Sequence, residues 1–276
     1  MALRDKLTTR WRVEDRRWTQ MVQSIGWVGL IGIALVLAIG YFNGPEQALQ
    51  VRQDLQEQAP IVQQQDNTPS VYDGEDEYEV FASTVIGSLN SLWTQLFKKS
   101  DITYQDPTLV LFRWWTQSAC GWAVSQVGPH YCPLDQTIYL DETFFEELTR
   151  RFGAQGGDLA QAYVLAHEVG HHVQQLLWIT QQINQRDNED SIKLELQADC
   201  LAWIWIGKIN EQGILEPNDL YKAIDAAESV GDDHIQETTA GYTQPESRTH
   251  GSSEQRKERL MKGYTTQSFE QCNTFG

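Results

Sequence analysis

The sequence predicts a mostly helical α+β domain, with a small sheet, behind one N-terminal transmembrane helix. Three observations predict it. Apolar residues recur every third or fourth position over 81–96 and 159–176, the period of helices with one buried face. Short apolar runs at 108–115 and 138–140, set among turn residues, read as strands. Residues Ile25 to Phe42 (IGWVGLIGIALVLAIGYF) carry no charge.

That charge-free run comes first. Its eighteen residues span about 27 Å as a helix, close to the hydrocarbon thickness of a bilayer. It is apolar all round and Gly-rich, unlike an amphipathic core helix. The segment before it is long for a cleaved signal peptide, and no small-x-small site follows. An uncleaved signal anchor is expected at 25–42. Residues 1–24 hold six basic and three acidic side chains, net +3, in a chain of net −17, so the remainder carries −20. The positive-inside rule then places 1–24 in the cytoplasm and the rest outside, in a periplasm or at the cell surface. Residues 43–77, rich in Gln, Asp, Glu and Pro, read as a polar linker, and 78–276 as the folded domain. The acidic balance argues against nucleic acid or an anionic surface as partner.

Four cysteines, Cys120, Cys132, Cys200 and Cys272, all follow the anchor. An even count in an exported domain suggests two disulfides. Of three possible pairings, Cys120–Cys132 and Cys200–Cys272 is favoured: one closes a short loop, the other ties the C-terminus to the core. No C-x-x-C is present, which argues against a cysteine zinc site.

Within the domain the elements read in order. A helix is expected from about Tyr78 to Lys98, carrying Phe81, Val85, Leu89 and Leu96 on one stripe. A strand covers 108–115, a strand and loop 120–132, and a short strand Ile138–Leu140. Asp141 caps a helix with Phe144, Phe145 and Leu148. Asp158, after Gly156-Gly157, caps the next, expected to reach about residue 181. Further helices are expected at 191–212, from Pro217 to Ala227, and from Ser252 or Ser253 to about Gly263. Residues 231–250 read as irregular.

The helix from Asp158 contains His167-Glu168-Val-Gly-His171, an H-E-x-x-H motif. Residues four apart share one helix face, so the two imidazoles can bind one Zn²⁺ without bending the backbone. Glu168 is turned about 100° around the axis, which puts its carboxylate beside the water of such a metal, where a general base is needed. His172 points off that face and reads as packing or surface. A catalytic zinc commonly has three protein ligands and an open position. The best third candidate is Glu195, in Glu195-Leu-Gln-Ala-Asp199, 24 residues after His171 on an apolar helix that would run back antiparallel. Asp199, one turn on, could accept from the distal nitrogen of a ligand histidine.

The stretches CGWAVSQVGPHYCPLDQTIYLD (120–141), VLAHEVGHHVQ (164–174), LELQADCLAW (194–203) and THGSSEQRKER (249–259) resemble a bacterial family called putative neutral zinc metallopeptidases. The pairing of the two metal motifs is similar to that of the gluzincins. The resemblance implies an anchored zinc peptidase with a zincin-like α+β domain, acting on a peptide or protein substrate. In that reading His167, His171 and Glu195 hold the zinc and Glu168 is the base. His250 is the first candidate to stabilise the oxyanion, with Tyr242 and His234 behind it. Ile138–Leu140 would be the edge strand that pairs with substrate. The rival readings are a zinc-containing scaffold that binds a partner at the membrane, and a zinc hydrolase of a non-peptide amide.

Overall fold

The computed structural model describes residues 3–17, 76–100, 102–125, 128–183 and 187–275. In chain order the elements are α1 (Leu3–Lys6), β1 (Val13–Asp15), α2 (Glu77–Phe97), β2 (Thr108–Leu111), β3 (Trp115–Ser118), β4 (Gly121–Val124), β5 (His130–Cys132) and β6 (Thr137–Leu140). Six helices follow: α3 (Thr143–Phe152), α4 (Asp158–Leu176), α5 (Asn188–Glu211), α6 (Asp219–Ser229), α7 (Asp232–Ala240) and α8 (Ser253–Thr266). The fold is mixed α+β, mostly helical with small sheets.

The larger sheet runs β1-β2-β6-β5, with β1, β2 and β6 parallel and β5 antiparallel to β6. All four residues of β6 are buried, which is why TIYL shows no alternation: a strand covered on both faces reads as a continuous apolar run. β6 is therefore interior. The expectation that Ile138–Leu140 forms the free edge is corrected, because β2 and β5 occupy both its sides; the edge on that flank is β5. β3 and β4 form a separate antiparallel hairpin.

The expected strand 108–115 is two strands. Trp114 turns the chain with φ 69, and its N–H is held by the Asp141 carboxylate, so the ladder of β2 stops and β3 starts in a new direction. The same Asp141 accepts the N–H and hydroxyl of Thr143 at the start of α3. Asp158 is not a cap; it is the first residue of α4, preceded by Gly157 at φ 119, and its charge still suits a helix N-terminus. α4 ends at Leu176, short of 181, because Trp178 adopts φ 60. Residues 231–250, expected to be irregular, include α7. Ser252 starts α8 with a capping box completed by Gln255.

The disulfides are Cys120–Cys132 and Cys200–Cys272. The first fastens the β3–β4 turn to the end of β5, and the second fastens the C-terminus to α5.

Residues 3–15 belong to the same unit as 76–275. Leu3 and Leu7 are buried in the main core. Val13, Glu14 and Asp15 pair with Leu109, Val110 and Leu111. The Trp11 N–H donates to Ser83, whose hydroxyl donates back to the Trp11 carbonyl, and Lys6 Nζ donates to the Ile214 carbonyl. Gly87 of α2 is needed for this fit: a Cβ there would lie 2.5 Å from the Thr9 carbonyl oxygen. Residues 3–15 of the expected segment 1–24 thus pack with the domain, and Asp76 is the N-cap of α2. The second unit, 16–75, includes the apolar run 25–42 and most of the linker 43–77, and these lie outside the described residues. Among the described residues no helix is long and apolar enough to cross a membrane.

Candidate metal centre

α4 and α5 cross where Gly170 faces Ala198. A Cβ on Gly170 would sit 2.9 Å from the Ala198 carbonyl oxygen, so the two backbones touch. That contact sets Glu195 and Asp199 of α5 against His167 and His171 of α4. The ring atoms His167 Nε2 and His171 Nε2 are 3.1 Å apart. Glu195 Oε2 lies 3.1 Å from the first and Oε1 3.4 Å from the second. Donor atoms about 2.0–2.1 Å from a tetrahedral Zn²⁺ would be about 3.3–3.4 Å from each other. The three side chains fit that spacing, and they form a metal-competent group whose donor atoms lie within 4.8 Å of one another.

The outward faces of the two rings fix the inward ones. His167 Nδ1–H donates to Asp199 Oδ1 at 2.9 Å. His171 Nδ1–H donates to Gln174 Oε1 at 2.9 Å, and Gln174 is oriented in turn by donating to the Leu194 carbonyl and to Gln197 Oε1. Each ring thus presents an Nε2 lone pair to the shared point. Asp199 is fully buried; besides His167 it receives the Tyr163 hydroxyl at 2.5 Å and Arg256 Nη2 at 2.9 Å.

The electrostatics follow from these contacts. Burial pulls the His167 imidazolium down, but the hydrogen bonds and charges of Asp199 and Glu195 outweigh it and lift the ring to about 10. His171 is likewise raised, burial being outweighed by Glu195. Burial alone would raise Glu195, yet the two histidines hold it well below the usual carboxylate range. His172 is the contrast. It is buried away from the centre, with Nε2–H on the Gln105 carbonyl and Nδ1 accepting from the Tyr131 hydroxyl, and burial pushes it down to about 4. It packs α4 against β5 and the segment leading to β2, as the off-face reading requires.

The group opens on a cleft of about 620 Å³. Glu168 lines it, as do His250 and Arg256. Its walls include Phe144, Val164 and Ile235, and on one flank Gly128 to Tyr131, entering β5. His250 is half-exposed, and its loop is pinned by Asp232, which accepts the N–H groups of Thr249, His250 and Gly251 and the His250 ring at 3.2 Å. That hydrogen bond, against burial, raises His250. The other two oxyanion candidates are not brought here. His234 donates to the Phe152 carbonyl, and Tyr242 is exposed and does not line the cleft.

Of the expected site residues, His167, His171, Glu195 and Asp199 come together here, and Glu168 and His250 line the same cleft. Sequence reasoning missed Gln174, Tyr163, Arg256 and Asp232. Gln174 had a signal, since it lies three residues after His171 on the same helix face. Arg256 had none, because its partner is 57 residues away.

A family model described as "putative neutral zinc metallopeptidase" matches residues 6–275. The uncharacterized protein YpfJ of Escherichia coli K12 is 40% identical over 281 aligned positions, covering 96% of this chain and 95% of that one. The uncharacterized protein Rv2575 of Mycobacterium tuberculosis H37Rv is 42% identical over 201 positions, 68% of this chain and 67% of that one. No solved structure matches. The family match begins inside the N-terminal strap and runs through both metal motifs to the last described residue, and on that breadth the chain belongs to the putative neutral zinc metallopeptidase family.

Proposed function

We propose that this chain is a zinc-dependent peptidase with a zincin-like catalytic domain. One observation carries the reading: three donor atoms at tetrahedral spacing, on two crossed helices, opening on a cleft that Glu168 also lines. His167, His171 and Glu195 would hold the metal. Bound there, Zn²⁺ would polarise the scissile carbonyl and acidify its water. Glu168 takes the proton from the attacking water and passes it to the leaving amine. His250, held by Asp232 at the rim, donates a hydrogen bond to the oxygen where negative charge develops. An extended substrate pairs with the outer side of β5, the end strand of its sheet among the described residues, a common mode for sheet edges. The walls at Phe144, Val164 and Ile235 favour an apolar substrate side chain.

Glu168→Gln keeps the shape of the side chain and removes the proton acceptor. In the full chain it should bind zinc as tightly as the unsubstituted protein and lose peptide hydrolysis by several orders of magnitude. Near-normal turnover would exclude Glu168 as the base. Zinc binding with no cleavage of a mixed peptide library by the unsubstituted chain would favour the scaffold reading, and cleavage of amides but not peptides the third.

We infer further that the apolar run 25–42 meets a membrane, with the domain and residues 3–15 on one side of it. The support is the β1–β2 ladder, since backbone pairing cannot be made across a hydrocarbon layer. This replaces the expected arrangement with the N-terminus and domain on opposite sides. The two disulfides favour an oxidising compartment for the shared side.

A further inference from the structure

Three buried groups, Asp199, Tyr163 and Arg256, stand behind His167, and only Asp199 has been given a task. Asp199 has no exposed surface, and three donors converge on its Oδ1: His167 Nδ1–H, the Tyr163 hydroxyl and Arg256 Nη2. Arg256 Nη2 also donates to the Tyr163 hydroxyl oxygen at 2.9 Å, which turns that hydroxyl's own proton onto Asp199. Asp199 Oδ2 has no hydrogen-bond partner among the described residues. The carboxylate is thus held by one oxygen, from three directions, with the His167 ring as one of the three.

A buried carboxylate keeps its charge only if a cation and hydrogen bonds offset the loss of water. Arg256 is the cation, itself 3% exposed, and its approach comes from α8, a helix with no other part in the metal centre. Both of its contacts come from one atom, Nη2, which reaches Asp199 Oδ1 and the Tyr163 hydroxyl together. Tyr163, on α4 one turn before His167, closes the triangle.

We propose that Arg256 and Tyr163 are positioning residues for zinc binding: they hold Asp199 anionic and aimed, and Asp199 in turn fixes the His167 ring with Nδ1–H outward and the Nε2 lone pair toward the metal. Neither residue is a ligand, and neither touches the reacting atoms in this role. The inference rests on the zinc reading above, and its test separates the two. Groups that orient a ligand in this way commonly change metal affinity about 10- to 100-fold when removed.

The test is zinc affinity in the full chain, by competition with a chromogenic chelator, with circular dichroism to confirm folding. Arg256→Met should weaken zinc binding about 10- to 100-fold, and Tyr163→Phe should weaken it less, in the same direction. The deciding measurement is the cycle with Asp199→Asn. If Arg256 acts through Asp199, adding Arg256→Met to Asp199→Asn should change affinity by no more than about twofold, since coupled sites are not additive. If Arg256→Met alone fails to fold, the double variant removes both buried charges; a folded double variant that binds zinc like Asp199→Asn supports the inference. Additive losses, or unsubstituted affinity in both Arg256→Met and Tyr163→Phe, would overturn it while leaving the zinc site in place. So would a double variant that fails to fold beside a Tyr163→Phe of full affinity. An unsubstituted chain that binds no zinc would overturn the metal reading and this inference together.

Discussion

His167 works with both ring nitrogens. Nδ1–H is committed to Asp199, so Nε2 is the atom left for a metal. A proton on Nε2 competes for the same lone pair. Asp199 and Glu195 lift His167 to about 10 and Glu195 raises His171, so that competition persists above the ordinary histidine range. The sign is then clear: zinc affinity rises with pH below the raised values and falls as the solution is acidified. Between about pH 8 and about pH 6 the loss should be roughly tenfold per unit for each proton displaced. Chelator competition at several pH values checks it, and a flat profile would contradict the assignment. At this scale the sequence was informative where chemistry leaves few alternatives. Two histidines four apart, and two acids in a helix of Leu, Ala and Trp, have little structural use without a partner. Gln174 and Arg256 were hidden for the opposite reason: an amide on a helix has many uses, and Arg256 in SEQRKERL reads as one more surface charge.

The crossing of α4 and α5 is what turns two motifs into one centre. Gly170 is the contact point, and the facing atoms belong to the Ala198 backbone, which cannot swing aside as a side chain can. Gly170→Ala should lower stability by about 1–3 kcal/mol through overpacking, and should also weaken zinc binding by prising Glu195 from the histidines. Thermal melts with and without a chelator measure both; an unchanged midpoint and affinity would show that the helices have slack there. Long periodic helices were legible for the usual reason, a stripe that must be buried. α7 was not, since DDHIQETTA has no such stripe; Asp232 fixes its first turn by binding the 249–251 loop. β1 was not either: Val-Glu-Asp becomes a strand because β2 is there to pair with it, and propensity says nothing of that.

Residues 3–15 and 76–275 form one unit. Residues 3–15 lay two leucines into the core and a third parallel strand beside β2. Removing residues 1–15 should cost about 3–6 kcal/mol from Leu3 and Leu7 alone, taking 1.5–3 kcal/mol for each buried leucine. Denaturant unfolding of the shortened and full chains checks this, and equal midpoints would show the strap to be dispensable. If the run 25–42 meets a membrane as proposed, the β1–β2 pairing keeps residues 3–15 and the domain on the same side. Cysteines placed at the exposed Thr8 and Gln181 should react alike with an impermeant thiol reagent on whole cells. Labelling of one without the other would restore the opposite-side arrangement. Charge counting pointed to that arrangement because it sees sequence order alone, and the strap's pairing with β2 spans nearly a hundred residues of chain.

X-ray absorption at the zinc edge on the purified full chain reads the ligands of the zinc proposed on His167, His171 and Glu195. One zinc per chain is expected, with two imidazole nitrogens at about 2.0–2.1 Å and oxygen filling the rest, and that metal should be lost in Glu195→Ala. A sulfur shell at about 2.3 Å, or an unchanged spectrum and affinity in Glu195→Ala, would contradict this ligand set.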